Sequence, residues 1–406
     1  MAERLELDAV SKVFPNRAVA LDEVSLEVPA GSFVVLLGPS GSGKTTLLRL
    51  VAGIERVSSG RIVIGERTVA DGRSHVASER RGLSMVFQDY ALWPHLSVLE
   101  NVAFALRRHG VATRQRRVQA GDMLDRVGLG LLGDRYPGQL SGGEQQRVAL
   151  ARALVGGVGL ILCDEPLSNL DADLRERMRL EIATLVREAG ATAVYITHDQ
   201  SEAFALADRI GVLEHGRLVQ VSEPEDVYTH PATPFVARFT GAATELRVRV
   251  ARTTLAGSSA LVELLGVEHA RPVAARAIEN VAAGQALMLV RPAAVRVCGV
   301  TSSECHAVGR VSDVAFRGRG YELAVDLRGG DRVSNVAASA RATRGDTIGL
   351  QFEEAGCVLF ADANANGTGR VSNEEAEADL GPSESSSRHP GATIPLVNTP
   401  ANLSEP

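Results

Sequence analysis

An apolar run, Phe33 to Leu37, feeds directly into Gly38-Pro39-Ser40-Gly41-Ser42-Gly43-Lys44-Thr45, and an apolar helical pattern, Lys44 to Ala52, leaves it. Few junctions constrain a fold more. A match to G-x-x-x-x-G-K-[ST] between a strand and a helix makes a loop whose backbone N–H groups curl round phosphates, helped by the positive end of the helix. Gly38, Pro39, Ser40, Gly41, Ser42 and Gly43 form that cradle. Lys44 is expected to neutralise the β and γ oxygens and the Thr45 hydroxyl to ligate Mg²⁺, and Thr46 completes the phosphate-binding set. Gly53 is a suitable helix stop.

A second signal lies about a hundred residues on. Leu160-Ile161-Leu162-Cys163 is a buried strand ending in Asp164-Glu165. Alone, an acidic pair at a strand end is a solvated feature. Beside a phosphate loop, Asp164 is expected to hold Mg²⁺ through water and Glu165 to orient and deprotonate an attacking water. The strand and helix patterns alternate from Phe33 through Asp173 to Ala189 and Ala193 to Ile196, which predicts an α/β domain with a largely parallel sheet. Leu5, Leu7 and Ala9 alternate with Glu6 and Asp8, a strand pattern, and Leu21 to Val28 is a second strand. Ser58-Ser59-Gly60 reads as a turn, and residues 89–155 read as mainly helical.

Between these two signals stands Leu140-Ser141-Gly142-Gly143-Glu144-Gln145, opening a helical pattern. With the phosphate loop and Asp164-Glu165, this run resembles the signature of the ABC transporter ATP-binding subunits. The resemblance implies that Ser141, Gly142, Gly143, Glu144 and Gln145, with Asp171 of Ser168-Asn169-Leu170-Asp171, reach ATP held by the opposite copy of a homodimer. It further implies that Gln88 contacts Mg²⁺ and water, that His198 contacts the γ-phosphate, and that Phe14 stacks on adenine. On residue type alone Phe14 is as well suited to a core, and a histidine at a strand end is usually structural. One departure from the family is Val155-Gly156-Gly157-Val158-Gly159, where charged residues and a proline are common.

The implied fold is α/β: a P-loop NTPase ABC cassette over residues 1–240, with a RecA-like core, a helical subdomain at about 89–155 and an antiparallel β subdomain. Around Thr240-Gly241 the texture changes. Leu246, Val248 and Val250 alternate with Arg247 and Arg249, and short β runs with glycine turns continue to Phe360. Pro224-Glu225-Asp226-Val227-Tyr228, Pro234 to Phe239 and Arg291-Pro292-Ala293-Ala294-Val295 resemble bacterial importers with an appended transport-associated OB-type (TOBE) domain, here 241–360. From 361 to 406 the chain is Ala/Asn/Gly/Ser/Glu/Pro-rich and is expected to be disordered. Asp362-Ala363-Asn364-Ala365-Asn366-Gly367 opens like a calcium loop but has Asn373 at the twelfth position, so a solvated tail is the better reading.

Charge bears on partners. The net charge is −6 over 406 residues. Seven acids (Asp362, Glu374, Glu375, Glu377, Asp379, Glu384, Glu405) against Arg370 and Arg388 give the tail −5, leaving −1 for the body. A near-neutral body has no electrostatic footprint for nucleic acid. Cys163, Cys298, Cys305 and Cys357 lack the short ligand pairs of structural zinc sites, which fits reduced thiols in a cytoplasm. No apolar run reaches the ~18 residues of a membrane span, and no signal peptide opens the chain.

The resemblance therefore implies a peripheral ATPase on the cytoplasmic face of the inner membrane. Its partners are an integral membrane permease and, indirectly, an extracytoplasmic solute-binding protein. Gln88-Asp89-Tyr90-Ala91-Leu92-Trp93-Pro94-His95 looks most like the ferric-iron importers. Polyamine, quaternary amine, sulfate and phosphonate importers share nearly all these features. The competing class is a non-transport soluble ABC ATPase.

Overall fold

The computed structural model describes residues 2–267 and 270–362. The acidic tail and its calcium-loop-like run lie outside them from residue 363 onward.

Leu5–Val13 (β1) and Val19–Val28 (β2) form a hairpin, followed by Phe33–Leu37 (β3) and Lys44–Ala52 (α1). Ser59–Ile64 (β4) and Arg67–Ala70 (β5) complete an antiparallel sheet of order β2-β1-β4-β5. Ser59 and Gly60 thus open a strand rather than a turn. Irregular pairing of β1 between Asp8 and Ser11 brings Ser59 opposite Ser11, and the Ser58 N–H reaches the Ser11 carbonyl at 2.9 Å.

Leu83–Val86 (β6) leads into the helical segment, Val98–Ala105 (α2), Thr113–Arg126 (α3) and Gly142–Leu154 (α4). The chain then alternates: Leu160–Asp164 (β7), Ala172–Glu188 (α5), Thr192–Thr197 (β8), Gln200–Leu206 (α6) and Arg209–Glu214 (β9), with Arg217–Ser222 (β10) returning beside β9. The six-stranded sheet has order β10-β9-β3-β8-β7-β6, parallel except for the β10–β9 edge. The three central strands are buried along their length, as a sheet covered on both faces requires. Their side chains sort by alternation. Phe33, Val35, Leu37, Ile161, Cys163, Ala193 and Tyr195 join the core shared with the helices. Val34, Leu36, Leu160, Leu162, Val194 and Ile196 join the core under α1 and the antiparallel sheet. Period-2 geometry alone produces this division. The carboxyl ends of β3, β8 and β7, neighbours in space, meet at one edge.

Two short helices, Pro224–Thr229 (α7) and Pro234–Phe239 (α8), lead to the β-rich region. It holds Thr244–Val250 (β11), Ser259–Leu264 (β12), Val273–Ala277 (β13), Gly284–Val290 (β14), Val295–Cys298 (β15), Ala307–Phe316 (β16), Tyr321–Leu327 (β17), Arg332–Ala338 (β18), Thr347–Phe352 (β19) and Cys357–Ala361 (β20). Five strands close a barrel, β11-β12-β13-β20-β14, and five form a sheet, β15-β19-β16-β17-β18. Strict alternation of buried and exposed residues along β11 supplies the barrel interior. Barrel and sheet share one core, in which Val248 and Met288 meet Leu323, Val336 and Leu350. β20 runs through Ala361, which therefore belongs to the barrel and not to the tail.

Arg291 fastens this region to the segment before it. The side chain is 2% exposed, donates to the Thr240 carbonyl at 2.8 Å and to the Tyr228 carbonyl, and lies 3.6 Å over the Tyr228 ring. A buried guanidinium is tolerated only with its N–H groups satisfied and its face stacked.

Candidate active site

The sequence dictates an uncapped start for α1. Gly43 has φ 102°, and no side chain caps the helix. A Cβ at Gly43 would stand 2.5 Å from the Ala20 carbonyl oxygen, so only glycine fits. The helix N–H groups are left to face a cavity of 310 Å³ lined by Ala20, Ser40, Gly41, Ser42, Gly43, Lys44, Thr45, Thr46 and Glu165. Uncapped amides at a helix start in a small polar cavity are an anion site.

Lys44 is 5% exposed and folds back on its loop, donating to the carbonyls of Gly38 at 2.8 Å and Pro39 at 2.9 Å. Burial lowers its pKa, and the carboxylates of Glu165 and Asp164 oppose that shift. Thr45 donates its hydroxyl to Asp164 Oδ1 at 3.2 Å. Burial raises the Asp164 pKa against that bond and the charges of Arg49 and Lys44. A hydroxyl and a carboxylate converging in this way are the hard oxygen donors that Mg²⁺ favours.

Glu165 leaves β7 with φ 44°, a sparsely populated conformation for a non-glycine residue. Its N–H donates to the Ile196 carbonyl at 3.1 Å, and its Oε2 lies 3.0 Å from His198 Nδ1. The Glu165 side chain is 21% exposed and that of His198 57%. A carboxylate paired to an imidazole at the rim of an anion cavity can hold a water and take its proton.

The remaining predicted residues stand elsewhere. Gln88 follows β6 and is exposed, its carbonyl accepting from Asn169 Nδ2 at 2.9 Å, and it is not among the residues lining the cavity. Phe14 sits half-buried in the turn between β1 and β2, with Lys12 Nζ 5.0 Å from its ring, also outside the cavity lining. Ser141 caps α4 in a reciprocal box. Its Oγ accepts from the Glu144 N–H at 3.4 Å, while Glu144 Oε2 accepts from the Ser141 N–H at 2.7 Å and Oγ at 2.8 Å. Those bonds hold the Glu144 pKa down. Gly142 and Gly143 pack against Leu170 and Leu174, and Gln145 Nε2 donates to the Pro137 carbonyl at 3.0 Å. Asp171 caps α5 by accepting from the Leu174 N–H at 2.9 Å. One copy thus gathers Lys44, Thr45, Asp164, Glu165 and His198, and leaves Ser141 to Gln145 and Asp171 outside that cavity.

Residue patterns did not single out Ala20, whose backbone closes the cavity, or Arg152. From α4, Arg152 forks to the carbonyls of Ala91 at 2.6 Å and Tyr90 at 2.7 Å and lies 4.9 Å from the Trp93 ring. A mostly apolar groove of 560 Å³ opens there, lined by Met85, Phe87, Trp93, Phe104 and Arg152 among others. No local sequence signal marks a long-range bond of a helical arginine to backbone.

The ABC transporter family model matches residues 21–168, and the TOBE domain model matches 288–360. The first range includes the phosphate loop, Gln88, the signature, Asp164 and Glu165, and leaves out Phe14, Asp171 and His198. An Fe(3+) ions import ATP-binding protein of Brucella abortus is 46% identical over 352 residues, 86% of this chain and 96% of the relative. A spermidine/putrescine import ATP-binding protein of Frankia alni is 40% identical over 363 residues, 86% of this chain and 77% of the relative. An sn-glycerol-3-phosphate import ATP-binding protein of Jannaschia sp. is 49% identical over 242 residues, 59% of this chain and 67% of the relative. Among the described residues no helix is long and apolar enough to cross a membrane.

Proposed function

This chain belongs to the ATP-binding import subunits of ABC transporters, which hydrolyse ATP to power transport, and we propose that its cargo is ferric iron. It works as a homodimer at the cytoplasmic face of the inner membrane, under a separate permease fed by an extracytoplasmic solute-binding protein. Two ATP molecules lie between Gly38 to Thr46 of one copy and Ser141, Gly142, Gly143, Glu144, Gln145 and Asp171 of the other, with Phe14 against adenine.

The observation that carries this reading is the convergence of Lys44, the Thr45–Asp164 pair and the Glu165–His198 pair on the ends of three neighbouring strands. Lys44 turns from its loop carbonyls to the phosphates. Thr45 and Asp164, with Gln88, are suited to hold Mg²⁺, which when bound neutralises phosphate charge. Glu165 takes the proton of the attacking water, and His198 holds the γ-phosphate end of the site. The groove beside Gln88, with Trp93 and Phe104 rings 4.2 Å apart, is suited to an apolar helix of the permease.

Iron is favoured by identity and by the share of the relative that this chain matches. The iron-importing relative is 46% identical across 96% of its length, against 40% across 77% for the polyamine relative. The higher identity of the glycerol-phosphate relative covers only 59% of this chain. The test is uptake of labelled ferric iron in the native host with wild-type chain or Glu165→Gln. Loss of uptake in the variant supports the reading. Unchanged iron uptake with loss of polyamine uptake rejects iron and keeps the importer.

A further inference from the structure

Helix α4 has two ends of different use. Ser141 caps the first, and Arg152 lies eleven positions on, about 16 Å along the axis. Arg152 holds both carbonyls of a turn in which two successive non-glycine residues, Tyr90 (φ 62°) and Ala91 (φ 46°), are left-handed. Such a pair persists only where its surroundings over-determine it. A planar two-pronged donor meets that need, and a point charge does not. Tyr90 also approaches the far end of α4. Its ring is buried, its hydroxyl has no hydrogen-bond partner, and a Cβ at Gly142 would lie 4.0 Å from that oxygen.

We propose that Arg152 is a positioning residue that ties the signature turn to the apolar groove, so that ATP held at Ser141 reshapes the wall containing Trp93. The inference rests on the two-copy ATP site proposed above. When the second copy's nucleotide draws the start of α4, the helix moves as a rod, and the fork carries the Tyr90–Ala91 turn and the stacked Trp93 with it. Coupling is reciprocal, so a helix seated in the groove changes nucleotide affinity by the same factor, of the order of 5–150-fold in such systems.

Trp93 is the single tryptophan of the chain and reports on the groove directly. The full chain carrying Glu165→Gln is titrated with MgATP while tryptophan emission and, by light scattering, dimer formation are followed. The expected result is an emission change that saturates with the dimer. In Arg152→Lys and Arg152→Ala on that background most of the change is lost, while ATP affinity, read with a fluorescent analogue, and dimer formation persist. Ala91→Gly relieves the strained backbone, leaves Arg152 in place and keeps the change, so a merely loosened loop is told apart from a lost fork. Should Arg152→Ala fail to fold, as judged by circular dichroism, the lysine variant decides. A full emission change in the arginine variants overturns the proposal, as does a parent that dimerises without any change. A parent that binds ATP and never dimerises overturns the two-copy site itself, and this inference falls with it.

Discussion

Two glycine-rich turns open helices in the cassette, and they are built in opposite ways. Helix α1 starts at Gly43 with no side-chain cap, and its amides face a cavity. Helix α4 starts at Ser141 with a complete capping box, so its first donors are already matched by Glu144 and Ser141. Helix starts expose four unpaired N–H groups and the positive end of a dipole. In α1 that deficit is left for an anion. In α4 it is partly filled from within the chain, at the Ser141 and Glu144 N–H groups. On the proposed two-copy site, the phosphate loop is a finished half-site, whereas the signature turn is a stable cap that gains a second use when the other copy's ATP approaches it.

The largest expected effect tests the finished half. Glu165→Gln should lower ATP turnover about 10²–10⁴-fold, the usual contribution of a general base, while leaving nucleotide affinity intact. Turnover is read by phosphate release and affinity by equilibrium binding. Wild-type turnover in this variant would move the proton acceptor away from Glu165. The signature half is tested by Ser141→Asp, because aspartate caps a helix start as well as serine does. Melting temperature should fall only slightly, since the cap on the Glu144 N–H survives while the hydroxyl bond to the Glu144 carboxylate is lost. Turnover should drop about 10²-fold, the scale of losing one donor to the reacting phosphate, because a carboxylate then faces the opposite copy's ATP. If turnover falls no further than the small loss of melting temperature explains, Ser141 is a helix cap and nothing more.

The β-rich region answers a different question, that of close packing. A Cβ at Gly349 of β19 would meet the sulfurs of Cys305 at 2.8 Å and Cys298 at 2.9 Å, and the Gly299 carbonyl oxygen at 2.9 Å. The connection from β15 to β16 crosses β19 at that point. Gly349→Ala should cost about 1–3 kcal/mol, as overpacking does, visible as a lower melting temperature with ATPase turnover per folded molecule unchanged. Parallel loss of turnover would tie the β-rich region to catalysis.

The same contrast explains what residue patterns made legible. The phosphate loop, Asp164 and Glu165 could be read because local sequence dictates their geometry: a strand, a glycine turn and a helix fix where each backbone N–H points. The alternation in Leu246, Val248 and Val250 likewise foretold a half-buried strand. The start of β4 departs from its local pattern, since Ser58-Ser59-Gly60 has turn composition and only pairing with an irregular β1 makes it a strand. The division of the β region into a closed barrel and a separate sheet depends on β20 returning between β13 and β14, a contact spanning some eighty positions that no local pattern records. Arg152, Arg291 and Gly349 stayed hidden for the same reason: each is defined by what it meets across the fold.

The smallest effect separates stability from function within the finished half. The Asp164 carboxyl, ordinarily near 3.8, titrates higher in the folded chain because burial penalises its charge, despite the bond from Thr45. A group raised on folding contributes stability below its unfolded value and loses that contribution as pH rises through the folded value. Above that folded value Asp164 is a buried charge that strains the free chain. Asp164→Asn keeps the shape and an acceptor for the Thr45 hydroxyl while removing the charge. Its melting temperature at pH 7 should exceed that of wild type, and the gain should vanish as pH falls below about 4, where wild-type Asp164 is protonated in both states. ATP turnover should be lost at every pH. A variant no more stable than its parent at pH 7 would mean that Lys44 and Arg49 already offset the burial of this charge, and the open half would then be less strained than its uncapped helix start suggests.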